Sequence, residues 1–523
     1  MKAVILSALL FSSLLASAAE PPKPPFPLPE GVSVEEIGNY FFGRLYAENC
    51  AVCHGEKLEG AAQGTPLVGV ELNKGDSLIE LKRSISDGAP GKGMPAWSET
   101  LDKDTIDNIA FFIIEQRAGY DYDDFNYSGP LTVPTDEIAT EKHSFRFEPV
   151  ITGLDPLPYS IAPLPDGRIL LTEKKRGLSI ISADGKQSAL VSGAPKGYDD
   201  TYILGMEQEW GVGWVLDVAL HPDFEKNGWI YLSYGDRCEN CNKLSRAESQ
   251  PVSMVRVIRG RLKDDRWVDE EMIWQADIEH YSTMTDIVAG ARICFDETDH
   301  LFFSVGMKGV NNHVGVQDLD LPWGKTHRVF DDGRVPTDNP YSGVDGALQS
   351  IWTRGHRSPQ GLEYRASSGQ LWGTEMGPRG GDEVNLLKAG GNYGWPLYSL
   401  GRDYDGTPVN YGKELGIEFE LKDIEQPVVD LTPSPAVSSF IFYDGDTFPA
   451  WQGNMLVGAL KDRSLTRMVL AGDTVIQRET LFQGVARMRD IETGPDGELY
   501  VLFEHNSGGQ IVRLVPTDAP TVR

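Results

Sequence analysis

Cysteine, histidine and positive charge are all scarce in this chain of 523 residues. It has five cysteines, nine histidines, and 48 lysines and arginines against 77 aspartates and glutamates, for a formal charge of −29. Five cysteines are too few for a disulfide-stapled scaffold of this length. So negative a surface excludes general affinity for nucleic acid or anionic membranes, and it argues against polyanionic substrates outside a local basic pocket. Past the first twenty residues no apolar run approaches the roughly 20 residues that cross a bilayer, so no membrane span is expected. Disorder and collagen are excluded by 40% hydrophobic and 24% charged residues. The length implies two to four domains. Turns are frequent, with 56 glycines and 33 prolines.

The one apolar run is MKAVILSALLFSSLLASAAE. Lys2 gives it a positive start, and Ala16-Ser17-Ala18 gives it a small-residue cleavage site. Residues 1–18 read as a secretory signal peptide, which implies a periplasmic, oxidising setting. Residues 19–32 read as a Pro-rich leader.

Two cysteines stand in Cys50-Ala51-Val52-Cys53-His54. In a C-x-x-C-H run the thiols add across the vinyl groups of a porphyrin and the histidine reaches the iron. A zinc site would need a second ligand pair nearby, and none follows. Met94, in Gly91-Lys92-Gly93-Met94-Pro95, suits the sixth ligand position. Segments 33–49, 77–86 and 101–116 carry helical periodicity. Residues 33–118 therefore resemble a small class I cytochrome c, all-α, with one covalent haem c bound by Cys50 and Cys53 and ligated by His54 and Met94. A one-electron carrier fused to a larger domain implies that the larger domain is its electron source or sink.

After a Tyr/Asp-rich linker at 119–145, one phrase recurs: a tight turn, two or three β-formers, then a small or acidic residue. Its copies lie at 165–173, 221–236, 295–306, 367–377, 449–460 and 494–503. If each is one strand of a small antiparallel sheet, the remainder is mainly β, a six-bladed β-propeller over 146–516 with a tail at 517–523. A pair of β-sandwiches and a β-helix are the alternatives. Uneven spacing implies long loops on one face, where sites are built.

Three motifs follow in order: Arg354-Gly355-His356-Arg357-Ser358-Pro359-Gln360-Gly361-Leu362, then Gly377-Pro378-Arg379-Gly380-Gly381-Asp382-Glu383, then Gly391-Asn392-Tyr393-Gly394-Trp395-Pro396. Together they resemble the soluble quinoprotein sugar dehydrogenases, the glucose/sorbosone and aldose dehydrogenase group, from about residue 150 to 515. The resemblance implies a propeller that holds pyrroloquinoline quinone (PQQ) and Ca²⁺. It also implies an exported quinohaemoprotein dehydrogenase. Such an enzyme oxidises a sugar or a related alcohol or aldehyde, and passes electrons through the fused haem to an external acceptor, such as a cytochrome or a quinone-linked carrier. A quinone with three carboxylates needs cations, and arginine is the best fork for them. Arg357, Lys461, Arg487 and Arg489 fall at the family's quinone-contacting positions, and Gln360 joins them. The carbonyls of Gly377 and Pro378 match ligands of the quinone-side Ca²⁺, and Glu383 with the Tyr393 carbonyl matches a second, structural Ca²⁺.

The pattern breaks at two catalytic positions. The family's histidine base is Ile287 here, in Asp286-Ile287-Val288-Ala289-Gly290, and its active-site Gln/Glu is Val212. Isoleucine accepts no proton. His280, Asp286 and His313 in the surrounding segments are the candidate replacements. The other readings are a different mechanism or substrate, and a non-catalytic binding or partner-docking propeller on an electron-transfer cytochrome. The haem argues for catalysis, because an acceptor needs a donor. Of the remaining cysteines, Cys238 and Cys241 read as a small loop disulfide, with redox or metal roles as alternatives. Cys294 reads as a buried free thiol.

Overall fold

In the computed structural model, residues 37–119, 129–199, 202–204, 208–308 and 313–517 are described. The expected signal peptide, the Pro-rich leader and most of the tail lie outside them.

The first domain is built on the helices Ile37–Asn49, Leu78–Asp87 and Lys103–Arg117. A capping box starts the second: Ser77 Oγ accepts from the Glu80 amide while the Glu80 carboxylate accepts from the Ser77 amide. Asp102 starts the third, its carboxylate accepting from the Thr105 amide at 2.7 Å. That cap moves the helix start from the expected Leu101 to Lys103. Phe42, Tyr46, Leu81, Ile85, Ile106, Ile109 and Phe112 close one apolar core with Cys50. Among the described residues no helix is long and apolar enough to cross a membrane.

The rest is a six-bladed β-propeller. Each recurrent phrase supplies the second strand of one blade: Ile169–Glu173, Ile230–Cys238, His300–Val305, Gln370–Glu375, Met455–Ala459 and Leu499–Glu504. The last blade takes its outer strand, Ser144–Leu154, from the start of the domain, with Phe145 opposite Pro516 and Phe147 opposite Leu514. This closure removes two free sheet edges. It begins inside the stretch expected as linker, as does the short strand Ile138–Ala139. Alternation explains the start, since Phe145 and Phe147 point inward to pack with Trp451, Phe482 and Phe503 while Arg146 points out.

First and second strands of a blade are antiparallel and joined by the turn of the phrase. The turns therefore lie on one face of the ring. The residues that enter each first strand, and those that follow each second strand, lie on the other. That second face collects Lys174, Asp286, Lys308, Arg357, 377–382, Lys461, Arg487 and Glu504. Cys238 and Cys241 are bonded as a disulfide. Cys294 is buried and free.

Candidate cofactor and active site

Arg487 and Arg489 stand at the start of the strand Arg487–Thr493, whose pairing with the next strand is irregular at Arg489. They meet Glu504, the last residue of the neighbouring strand. Arg487 Nε donates to Glu504 Oε1 at 2.8 Å, and Arg489 Nε donates to Oε2 at 2.7 Å. Lys174 Nζ stands 3.6 Å from the same carboxylate. Burial alone would raise the Glu504 carboxyl, but Arg489, Lys174 and Arg487 outweigh it and hold the group well below the usual carboxylate range. Burial, with Arg489 second, pushes Lys174 down to about 7. Among the described residues three cations thus gather on one carboxylate, a setting that favours an anion.

The network continues through Gln360, whose Oε1 accepts from Arg489 Nη1 at 3.3 Å. Arg357 lies beyond it, donating from Nη1 to the carbonyls of Gly377 at 3.0 Å and Met376 at 3.3 Å. Its guanidinium carbon is 5.4 Å from the Trp395 ring. Its Nε is buried with no hydrogen-bond partner among the described residues. Lys461 is pushed down to about 7 by burial, opposed by the charge of Glu115. Asp382 acts on both Lys461 and Arg357. A small tricarboxylate fits this donor set: it would supply the missing negative charge and a partner for the orphaned Arg357 Nε.

Calcium fits less well. The Gly377 carbonyl already accepts from Arg357. Among the described residues no group of three His, Cys, Asp or Glu side chains converges as a metal site. Burial, then Glu375, pushes Glu383 up to about 8, and Asn385 Nδ2 donates to its carboxyl at 3.1 Å. The Tyr393 ring stacks on His356 at 4.9 Å.

The three candidate bases separate clearly. Asp286 is sealed: its Oδ2 accepts from the amides of Gly213 at 2.6 Å and Trp214 at 3.3 Å, and its Oδ1 accepts from Ser253 Oγ at 2.9 Å and pairs with Lys308. It ties the Val212 segment to the ring and has no lone pair left for substrate. His280 is half-buried, edge-on to Trp323 at 6.4 Å. His313 packs 4.0 Å from the Tyr411 ring and 5.4 Å from Trp395, the ring that also faces Arg357. Ile287, at the altered base position, belongs to the apolar cluster containing Trp395 and Tyr411. His313 therefore lines the neighbourhood that the missing histidine would serve. Its Nδ1 is buried without a partner among the described residues. Burial and Arg357 push it down to about 4, so the imidazole is neutral.

In the helical domain, His54 Nδ1 lies 2.8 Å from the Thr65 carbonyl. A carbonyl only accepts, so Nδ1 carries the proton and Nε2 is left for a metal. The Met94 loop is pinned to Ala89 by a pair of backbone hydrogen bonds, at 2.9 and 3.3 Å. These placements fit haem ligation by His54 and Met94.

This domain docks on the site face of the propeller. Glu115 accepts from Arg379 Nε at 2.9 Å and Nη2 at 2.5 Å. Arg402 Nη2 lies 2.8 Å from Asp104, and its Nη1 lies 3.3 Å from Asp107. Arg379 and Arg402 are themselves laddered through their backbones, at 3.0 and 2.8 Å. Phe111 covers Gly380.

Sequence reading brought Arg357, Gln360, Arg487 and Arg489 to one network, and missed Lys174, Glu504, Arg379 and Glu115. The repeat held a signal for two of these, since Lys174 and Glu504 directly follow the first and last copies of the phrase.

Family comparison agrees with this architecture. Residues 156–513 match the Glucose / Sorbosone dehydrogenase family, and residues 43–113 match the family described as cytochrome c oxidase, cbb3-type, subunit III. Aldose sugar dehydrogenase YliI of Escherichia coli is 37% identical over 369 residues, spanning 69% of this chain and 90% of that protein. Quinoprotein glucose dehydrogenase B of Acinetobacter calcoaceticus is 26% identical over 461 residues, spanning 72% and 88%. A solved glucose dehydrogenase structure superposes with a TM-score of 0.61 at 33% identity, covering 71% of this chain and 99% of its own. The chain belongs to the glucose/sorbosone dehydrogenase family and carries a cytochrome c domain ahead of the family's propeller.

Proposed function

We propose that this is an exported quinohaemoprotein that oxidises a sugar, or a related alcohol or aldehyde, and delivers the electrons through its own haem c to an external acceptor. The observation that carries this reading is the clustering of cations: among the described residues Lys174, Arg487 and Arg489 gather around the carboxylate of Glu504, and the cluster continues to Arg357, whose Nε has no partner among them. PQQ, the cofactor implied for the quinoprotein relatives, has the charge for that cradle. When bound it would supply a two-electron acceptor for the substrate C–H bond.

The chain's own residues do the rest. Arg487, Arg489 and Lys461 hold carboxylates, and Arg357 donates toward the ring face. His313, neutral and with an Nδ1 that has no partner among the described residues, takes the substrate hydroxyl proton. Trp395 and Tyr411 hold its ring and exclude water. Oxidation of one CH–OH group releases two electrons and two protons. His54 and Met94 would hold the haem iron, which would supply a one-electron path to the acceptor. Glu383 and the Tyr393 carbonyl, with Gly377 and Pro378, remain the positions for Ca²⁺ that the family pattern suggests.

A second reading is a propeller that binds substrate or docks a partner without catalysis, favoured by Ile287 at the base position and by the sealed Asp286. One experiment separates the two. The haem-loaded protein receives PQQ and Ca²⁺, then aldoses, alcohols or aldehydes. Substrate-driven reduction of the haem band supports the dehydrogenase. Bound quinone with no haem reduction selects the second reading, and no quinone binding overturns the first.

A further inference from the structure

Arg379 stands two positions after Gly377, whose carbonyl accepts from Arg357 at 3.0 Å. One short loop therefore touches the cation network at one point and the haem domain at another. The second contact is enclosed: Arg379 is 2% and Glu115 is 1% exposed. The Arg379 guanidinium also lies 3.6 Å over the ring of Phe42, in the core of the haem domain. Only Pro378 separates the two contacts, and beyond Arg379 the loop turns at Gly380 and Gly381, which both adopt positive φ, at 75° and 71°. Its far end is pinned to the propeller, the Gly381 amide donating to Thr432 Oγ1 at 2.9 Å and the Asp382 amide to Ser434 Oγ at 3.1 Å. Its near end is held by the Gly377 amide donating to Asp382 Oδ1 at 3.0 Å and by the backbone pair of Arg379 with Arg402, and among the described residues the buried Arg379 charge is met by Glu115. A buried charge stripped of its partner moves toward water or destabilises its surroundings. The charges of Glu115 and Arg379 also act on Lys461, across the pocket.

We propose that the docked haem domain is a wall of the cofactor pocket, with Glu115 as a positioning residue that fixes Arg379 and, through it, the 377–381 loop against Arg357 and Lys461, a role that rests on the quinone reading above. Domain docking and quinone binding then reinforce one another reciprocally. A haem domain held only by its linker would leave the pocket indifferent to it.

The test uses the full haem-loaded chain and two readouts besides turnover. One is PQQ affinity by equilibrium titration. The other is the pair of unfolding midpoints, with the haem band following the helical domain and β-sheet dichroism following the propeller. E115R should weaken PQQ binding about ten-fold and separate the two midpoints, which should coincide in the unaltered protein. E115R combined with R379E should bring both back toward the starting values. E115Q keeps size and fold, and should shift both readouts in the same direction by less. Affinity within about two-fold for E115R and E115Q, with coincident midpoints, overturns the proposal; so does failure of the charge swap to restore either readout. Absence of PQQ binding in the unaltered protein overturns the functional reading itself, and the midpoints still report whether Glu115 holds the domains together.

Discussion

Arg489 meets Glu504 side-on, with Nε at 2.7 Å and Nη2 at 2.6 Å from the same carboxylate oxygen. Both side chains are almost fully buried. Glu504→Gln would leave Arg487, Arg489 and Lys174 around a neutral amide. Breaking a buried ionic cluster from one side costs about 3–5 kcal/mol. Denaturant unfolding of the quinone-free protein should show a loss of that size. Added PQQ should recover part of it, since the tricarboxylate would replace the missing charge.

Two lysines make the pocket pH-sensitive. Lys174 and Lys461 are each pushed down to about 7, by burial first. A lysine depressed in the fold binds its proton less readily than in the unfolded chain, where its pKa is about 10.4. Between those values the unfolded state carries more protons, so quinone-free stability should rise as pH rises from about 7 toward 10. Anion binding should move the other way, weakening as pH climbs through about 7 and the two charges are lost. Titrations with PQQ from pH 6 to pH 9 measure this. Lys174→Arg, a cation fixed across that range, should flatten part of the slope, and an unchanged slope would remove Lys174 from the site.

Much of this architecture was legible because it repeats or because its chemistry is local. The phrase at 165–173, 221–236, 295–306, 367–377, 449–460 and 494–503 marked every second strand, since a turn followed by β-formers is a local signal. The C-x-x-C-H run is equally local. Lys174 and Glu504 were missed because their meaning lies in a pairing across 330 positions of chain, through the closure of the ring by Ser144–Leu154. Glu115 was hidden differently. On the sequence it is one acidic residue near the end of an amphipathic helix, and nothing local separates it from a solvated one. Asp286 shows the reverse error. An acid beside the altered base position invites a catalytic reading, but four donors converge on it only in the folded ring.

Substitution of His313 separates base from scaffold. Loss of a positioned general base costs on the order of 10²–10⁴ in rate. His313→Gln should lower substrate-driven haem reduction by that range, with PQQ affinity little changed. Because burial and Arg357 push the imidazole down to about 4, the unaltered protein should keep its base form throughout the neutral range. Activity should fall on the acid side only as pH approaches 4. Asp286→Asn should instead lower the unfolding midpoint, since it breaks the pair with Lys308. A His313→Gln variant with full turnover would return the base to another residue.

Gly380 offers a test of docking that changes no charge. Its φ is 75°, in the left-handed region that side chains disfavour, and a Cβ there would lie 2.4 Å from the Phe111 ring. Phe111 is on the haem-domain helix that carries Glu115, so Gly380→Ala wedges the two domains apart at their apolar contact. The propeller core does not include Gly380, and its unfolding midpoint should move little. Haem reduction by substrate should slow, while reduction of a small soluble acceptor able to enter the pocket should persist. Phe111→Ala in the Gly380→Ala background removes the clash. It should restore part of the lost haem reduction if the steric contact is the cause, even though Phe111→Ala alone weakens the helical domain by about 3–5 kcal/mol. Equal slowing of haem and soluble acceptor by Gly380→Ala would instead place the defect in the 377–381 loop itself, and the docking contact would lose its claim on electron exit.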